Sequence, residues 1–183
     1  MQNQFDNIAR LLDIPAVCII AFLFLIGWSV VGALCNKTMR YIGAALAIVS
    51  VTVILYVTVL SRSVINANVY LIPFSTFQRA KVDPDLYRFM VLNLIMFMPV
   101  GCSLPFLLRG NTGKRILMTL LIGVLLSCLI ETMQGVFSIG YIDTDDVIVN
   151  TLGTAIGSIS YPLSLLIMKA AGKRLTADNR DEE

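Results

Sequence analysis

Five long apolar runs determine what this chain can fold into. They cover residues 14–34, 41–60, 89–108, 116–137 and 147–168. Each has about 20 residues, the length that an α-helix needs to cross roughly 30 Å of hydrocarbon. Because unpaired backbone groups are costly in lipid, such runs span a membrane as helices. The sequence therefore predicts an all-α fold, a polytopic membrane helical bundle with about five transmembrane helices.

The composition agrees with a membrane protein. Hydrophobic residues make up 57% of the chain and charged residues 14%, whereas soluble domains have roughly 25% charged residues. We expect one transmembrane domain over residues 14–168, preceded by an extracytoplasmic N-terminus, 1–13, and followed by a charged cytoplasmic tail, 169–183, which we predict to be disordered. The net charge of +2 does not favour a nucleic-acid partner.

The distribution of Lys and Arg predicts the orientation, because cytoplasmic loops carry an excess of basic residues. Nine of the 14 basic residues fall on one side of the predicted spans, in the first and third loops and the tail. On the other side, the last loop holds three aspartates and no Lys or Arg. We therefore expect the N-terminus outside and the C-terminus in the cytoplasm, although four basic residues in the second loop oppose this pattern.

Polar residues in the last three spans recur at helical spacing. Residues three and four apart share one face of a helix. The stripes are Asn93, Phe97 and Gly101 in span three; Gly123, Ser127, Glu131 and Gln134 in span four; and Asp146, Asn150, Gly153 and Gly157 in span five. The spacing of Gly153 and Gly157 lets membrane helices approach closely. We expect the three stripes to meet, with their polar residues in the outer half of the membrane.

Glu131 is the most informative residue of these stripes. A charged side chain at the centre of a membrane helix costs about 2.5–3.5 kcal/mol on insertion scales, so it is a functional hypothesis by default. The alternative is a protonated carboxyl group that donates a hydrogen bond to Asn150 or Asn93 and joins helices. We predict an outward-facing polar cleft between spans three, four and five. Its predicted ligand-binding residues are Asn93, Glu131, Gln134, Asp143, Asp146 and Asn150.

The aspartates before span five also have a structural interpretation. Asp143 at the cap and Asp145 and Asp146 in the first turn suit the positive end of a helix and its free amides. Their D-T-D-D sequence lacks the glycine and the distal Glu of a calcium loop. The chain has no histidine, which excludes Ser-His-Asp catalysis and HExxH zinc sites. We therefore predict no metal site and no cofactor.

The second loop contains an apolar stretch, residues 69–77, that is too short to span a membrane. We interpret it as a re-entrant or interfacial segment over the cleft; a short strand-like linker is the alternative. Asp83 before Pro84 is typical of a helix cap, so the third helix is expected to begin near Pro84. Pro99 and Pro105 remove backbone donors and are expected to bend this helix.

Three blocks resemble the VanZ-like family of bacterial membrane proteins. They are YLIPFSTF at residues 70–77, NLIMFMPVGCSLPF at 93–106, and E-x-x-Q followed by D-x-D-D-x-x-x-N-x-x-G at 131–153. We assign Pro73, Phe74, Phe97, Pro99, Gly101, Gly153 and Gly157 as motif or packing positions. The family often has an arginine in the hairpin before the aspartates, where this chain has Gly140 and Tyr141. The resemblance implies that the acidic group is neutralised differently here.

The founding member of that family is associated with teicoplanin resistance, so the resemblance implies a multi-pass protein of the bacterial cell membrane and an envelope function. Our first hypothesis is a non-enzymatic protein that binds an amphiphile, either a membrane lipid or an amphiphilic antibiotic, in the polar cleft. The first alternative is an intramembrane enzyme that acts on a lipid or a lipid-linked wall precursor. A small-solute or proton-coupled transporter is the second, and a homo-oligomer would supply the symmetry that five spans lack.

Overall fold

The computed structural model describes residues 13–35, 37–62, 64 and 69–172. In chain order the elements are α1 (Ile14–Leu34), α2 (Met39–Leu55), β1 (Val69–Tyr70), α3 (Ser75–Ala80), α4 (Pro84–Leu107), α5 (Thr112–Val136), β2 (Ile142–Asp143), α6 (Thr144–Ser158) and α7 (Ser160–Ala170). A π-helical turn, Tyr56–Leu60, extends α2. The chain is mostly helical, as predicted.

Five helical segments of the described residues are long and apolar enough to cross a membrane. They are α1, α2 with its π-helical turn, α4, α5, and α6 joined to α7. The predicted number and order of spans are confirmed. The orientation and the three-part domain division stay predictions, and most of the predicted N-terminal segment and tail, residues 1–12 and 173–183, lies outside the described residues.

Polar caps place three helix starts where the sequence predicts them or close by. The Asp83 carboxylate accepts hydrogen bonds from the amides of Asp85 and Leu86, at 3.0 and 3.4 Å, and α4 begins at Pro84. Asn111 caps α5 and Asp143 caps α6 in the same way. Such caps satisfy amides that have no partner within the helix. The N-terminus of α6 is thereby fixed beside the end of α5.

Glycines bring α4 and α6 into backbone contact. A Cβ added at Gly153 would lie 2.0 Å from the carbonyl oxygen of Leu94, and one at Gly157 would lie 2.1 Å from that of Met98. On the facing helix, a Cβ at Gly101 would lie 2.1 Å from the carbonyl oxygen of Thr154. Only glycine permits these approaches. The glycine seam therefore fixes the separation of the two helices that carry Asn93 and Asp146.

The hydrophobic core adjoins this seam. Phe97, which is fully buried, packs with Ile54, Val100 and Ile130. The α4 helix continues without interruption through Pro99 and Pro105, and a bend at these prolines stays a prediction. The core anchors α4 against α2 and α5, so the polar side chains one turn from Phe97 are held on a packed scaffold.

The apolar stretch at 69–77 consists of a two-residue strand, a turn and the start of a short helix. Its first two residues are β1, which pairs in parallel with β2, aligning Val69 with Ile142 and Tyr70 with Asp143. A turn follows, in which Phe74 has φ 66°, and α3 begins at Ser75. We call residues 69–80 the loop cover. It contacts the chain at the junction between α5 and α6, and its depth in a membrane stays a prediction.

Candidate functional site

Four carboxylates lie where α5 ends and α6 begins. Glu131, Asp143 and Asp145 are buried, with 5%, 7% and 0% of their surfaces exposed, and Asp146 is partly buried. Buried carboxylates require hydrogen bonds or positive charges to offset their lost hydration. The partners of each carboxylate therefore indicate what that carboxylate does.

Asp145 anchors the loop cover. Its carboxylate accepts hydrogen bonds from the backbone amides of Phe74, Thr76 and Phe77, at 2.6, 2.7 and 3.4 Å. Amides bonded to a carboxylate form charge-assisted hydrogen bonds, which are stronger than neutral ones. These bonds also satisfy the free amides at the start of α3 and hold Phe74 in its left-handed conformation. Asp145 was not among the predicted site residues, and its anchoring function was not predicted.

Asp143 connects three elements. One of its carboxylate oxygens accepts the amide of Asp145 at 2.9 Å and so caps α6. The other accepts the hydroxyl of Thr76 at 2.5 Å. Its own backbone amide donates to Oε2 of Glu131 at 2.8 Å. The predicted site residues Glu131 and Asp143 are thus brought together, and Asp143 has structural partners on both sides.

Arg79 of the loop cover supplies positive charge beside Asp143. Its Nη2 lies 3.9 Å from Oδ2 of Asp143 and donates to the Thr76 hydroxyl at 2.6 Å. The guanidinium also stacks on the ring of Tyr70, 4.3 Å from its centroid, and Tyr70 meets Tyr141 edge to face. Arg79 is thus fixed by three kinds of contact.

The hairpin position where the family often has an arginine is tightly packed at Gly140. Gly140 is buried, and a Cβ there would lie 3.1 Å from three atoms of Gln134. The loop cover therefore provides, from the preceding part of the chain, the positive charge that the hairpin lacks. Sequence reasoning missed Arg79 because it lies 64 residues before Asp143 in the chain. The signal for it was the joint occurrence of the loop motif and the aspartate motif.

Glu131 and Asp146 form a second acidic group with different surroundings. The Asn93 side chain donates a hydrogen bond to the Asp146 carboxylate. Glu131 and Asp146 are close enough to interact electrostatically, and Arg62 interacts with both. Three predicted site residues from three helices, Asn93, Glu131 and Asp146, therefore lie around one region. We call it the polar junction.

Asn150 lies one turn further along α6. Its Nδ2 donates to the hydroxyl of Ser127 at 2.8 Å, and its side chain is 3% exposed. Its Oδ1 is buried and has no hydrogen-bond partner among the described residues. Buried amide oxygens without partners are rare in native structures and call for an explanation. Asn150 thus joins α6 to α5 through Ser127, and its oxygen is left without a partner among the described residues.

The remaining predicted residues lie apart from the polar junction. Gln134 donates to the carbonyl oxygen of Thr58 at 3.1 Å, in the π-helical turn that ends α2. A π-helical turn frees carbonyl groups from the regular ladder, so Gln134 joins α5 to α2. Phe97 is in the core, and Pro73 and Phe74 are exposed in the turn of the loop cover.

The described carboxylates are not arranged as a metal site. Within residues 13–35, 37–62, 64 and 69–172, no group of three or more His, Cys, Asp or Glu side chains could hold a metal ion. The chemistry that the polar junction offers is hydrogen-bond acceptance and ion pairing. Asp146 is partly exposed at its edge, which gives a ligand one point of access.

Five apolar helical segments around a buried acidic group define a multi-pass helical membrane protein. The VanZ/LLP1 family model matches residues 16–167. That match includes nearly all of the five spans, the loop cover and the four carboxylates, so the chain belongs to the VanZ/LLP1 family. No curated protein and no solved structure matches the chain.

Proposed function

We propose that this VanZ-family protein binds the polar head of an amphiphile at the polar junction of Asn93, Glu131 and Asp146. The amphiphile is a membrane lipid or a lipoglycopeptide, and the protein acts without catalysing a reaction. In a bacterial cytoplasmic membrane, with the N-terminus outside, the junction faces outward. The expected phenotype is resistance to glycopeptides of the teicoplanin type, as the resemblance implies.

The burial of an acidic side chain at Glu131 is the observation that supports this proposal. Its hydrogen bond from the Asp143 amide needs only an acceptor oxygen, which a glutamine also supplies. A carboxylate in a membrane helix costs more than an amide, so the structural bond does not explain why the residue is acidic. Electrostatic contact with Asp146 adds to that cost. A polar ligand that bonds to this group would explain why the residue is acidic.

Exposed apolar surface of α5 fits the other end of such a ligand. Leu125 and Leu129, six and two residues before Glu131 on α5, are 69% and 54% exposed. In a membrane these side chains face hydrocarbon, where the acyl chain of an amphiphile lies.

Charge-neutralising variants test the proposal. Glu131→Gln and Asp146→Asn retain the side-chain shapes and remove the charges. We expect each to reduce teicoplanin resistance in a susceptible bacterium to the level of cells without the protein, at equal amounts of membrane-inserted protein. Asp13→Asn is the matched control, since Asp13 is exposed at the start of α1 and its side chain makes no cap hydrogen bond. Unchanged resistance in both variants would refute the proposal.

The electrostatic pair also supports an enzyme as the second candidate function. Two interacting carboxylates, Glu131 and Asp146, can divide acid and base functions between them. The substrate would be a lipid or a lipid-linked wall precursor. Conversion of a labelled lipid by the purified protein, abolished by Glu131→Gln, would favour catalysis over binding.

A further inference from the structure

The polar junction contains more hydrogen-bond acceptors than donors. Asp146 and Asn150 are one turn apart on α6, and Ser127 and Glu131 are one turn apart on α5. The bond from Asn150 Nδ2 to Ser127 joins the two helices one turn below the carboxylates, a rise of about 6 Å. Glu131, Asp146 and the amide of Asn150 therefore face the space between the same two helices.

The oxygen of Asn150 is an unused acceptor in this space. Because Nδ2 is fixed on Ser127, rotating the amide to point Oδ1 elsewhere would break that hydrogen bond. Oδ1 is buried and unpartnered within the described part of the chain. A donor brought by a ligand would complete its hydrogen bonding, as buried polar groups require. This observation is independent of the acidic cluster, since Asn150 carries no charge.

The acidic groups around the junction also outnumber the basic groups. The acidic groups are Glu131, Asp143, Asp145 and Asp146, and the basic groups near them among the described residues are Arg62 and Arg79. Arg79 lies on Asp143, and Asp145 is saturated by backbone amides. Among the described residues, Arg62 is the basic group that interacts with both Glu131 and Asp146, while Asn93 contributes a neutral donor to Asp146. Acidic groups thus outnumber basic ones around the junction, which favours a cation over an anion.

We infer that the head group bound at the polar junction carries an ammonium group with N–H donors, accepted by Glu131, Asp146 and Oδ1 of Asn150. This rests on the proposed function and narrows its ligand to amino-bearing amphiphiles. An ammonium group supplies both positive charge and N–H donors to a junction in which acceptors outnumber donors. A quaternary ammonium has the charge without the donors, and a phosphate or hydroxyl head lacks the charge.

Three phospholipids with identical acyl chains separate these properties. Phosphatidylethanolamine has an ammonium with three N–H donors, phosphatidylcholine has a quaternary ammonium, and phosphatidylglycerol has neither. The purified full-length protein in detergent is titrated with each lipid, and bound lipid is counted by native mass spectrometry. We expect phosphatidylethanolamine to bind at least about tenfold more tightly than the other two, where tenfold is 1.4 kcal/mol.

Three variants complete the design. Glu131→Gln and Asn150→Leu should remove the preference for phosphatidylethanolamine, whereas Asp13→Asn should retain it. Asn150→Asp, which keeps an acceptor and cannot donate to Ser127 when ionised, should retain or increase the preference. If the preference for phosphatidylethanolamine is lost in Asn150→Leu and retained in Asn150→Asp, a general failure to fold at this position is excluded.

Each outcome of the lipid titrations supports or overturns the ammonium assignment. Equal binding of phosphatidylethanolamine and phosphatidylcholine, weakened by Glu131→Gln, would overturn the ammonium assignment and leave the proposed binding function standing. A preference for phosphatidylglycerol would also overturn it and point to Arg62 as the binding group. If none of the three lipids binds in a way that depends on Glu131, neither the assignment nor lipid binding at this site survives.

Discussion

The four carboxylates at the junction of α5 and α6 fall into two pairs with opposite surroundings. Asp143 and Asp145 accept bonds from backbone amides, a hydroxyl group and, for Asp143, the nearby Arg79. Glu131 and Asp146 face each other across two helices, with one amide, one asparagine and Arg62 as partners. The same residue type therefore stabilises the fold in one pair and leaves charge available in the other.

The difference shows how to separate structural from ligand-binding acids in a membrane. A carboxylate saturated by protein donors has no free capacity, and removing it leaves donors unsatisfied. A carboxylate with few donors contributes little stability and keeps capacity for a ligand. Substitutions of Asp143 and Asp145 should therefore mainly lower stability, whereas substitutions of Glu131 and Asp146 should mainly weaken binding.

Replacing Asp145 should have the largest effect on stability. Asp145→Ala leaves three backbone amides of the loop cover without their acceptor, and we expect a loss of about 3–5 kcal/mol in the free energy of unfolding. Thermal unfolding in detergent can be followed by the fluorescence of Trp28, the single tryptophan. It donates to the Cys102 carbonyl at 2.9 Å and so reports on packing of α1 against α4. Unfolding at the wild-type temperature would show that the anchor is dispensable.

Asp143→Ala should cost less, about 2 kcal/mol, because it removes the α6 cap and the bond from Thr76 while its backbone amide remains bonded to Glu131. Limited proteolysis of the loop cover is the most direct measurement. Thr76→Val is the control, because it removes the hydroxyl bond and leaves the cap intact. If both variants were cleaved at the same increased rate, the cap would contribute nothing.

Arg79→Ala should lower stability by about 1 kcal/mol. The Arg79 side chain is 42% exposed, and partly exposed ion pairs and cation–π contacts contribute roughly that much together. Arg79→Lys should recover the charge and lose the stacking on Tyr70. The shift in unfolding temperature should become smaller at high salt. A salt-independent effect would assign the contribution of Arg79 to packing alone.

Glu131→Gln should have the smallest effect on stability, less than about 0.5 kcal/mol, because the amide oxygen still accepts the Asp143 amide. Its effect on ligand binding should instead be the largest of the four. The unfolding temperature should therefore fall more in Asp145→Ala, and the amount of bound lipid should fall more in Glu131→Gln. A large loss of stability in Glu131→Gln would place Glu131 with the structural pair.

Local sequence was enough to predict much of the fold. The five spans follow from apolar length, and the start of α4 follows from Asp83 and Pro84. The spacing of Gly153 and Gly157 indicated a close helix contact, and in the structure both meet α4. The polar stripes named Asn93, Glu131, Asp146 and Asn150. In the structure Asp146 interacts with Asn93 of α4 and Glu131 of α5, and Asn150 bonds to Ser127 of α5.

Long-range partners were beyond the sequence. Asp145 bonds to residues 68 to 71 positions earlier in the chain, and no periodicity connects them. Gln134 shares a stripe with Glu131 yet bonds to Thr58 in the π-helical turn. No sequence motif predicted this turn. Arg79 lies 3.9 Å from the Asp143 carboxylate, although the two residues are 64 positions apart in the chain. In each case the deciding factor is an atom supplied by another element.

The sequence by itself determined that the chain spans a membrane with five helices and places acids in its last two spans, because hydrocarbon thickness and the cost of charge act on each segment separately. The tertiary structure alone decided which acids are structural, because a carboxylate's function depends on the donors that folding brings to it. Asp145 and Asp146 are neighbours in the chain. They point to different partners, and only Asp146 belongs to the polar junction.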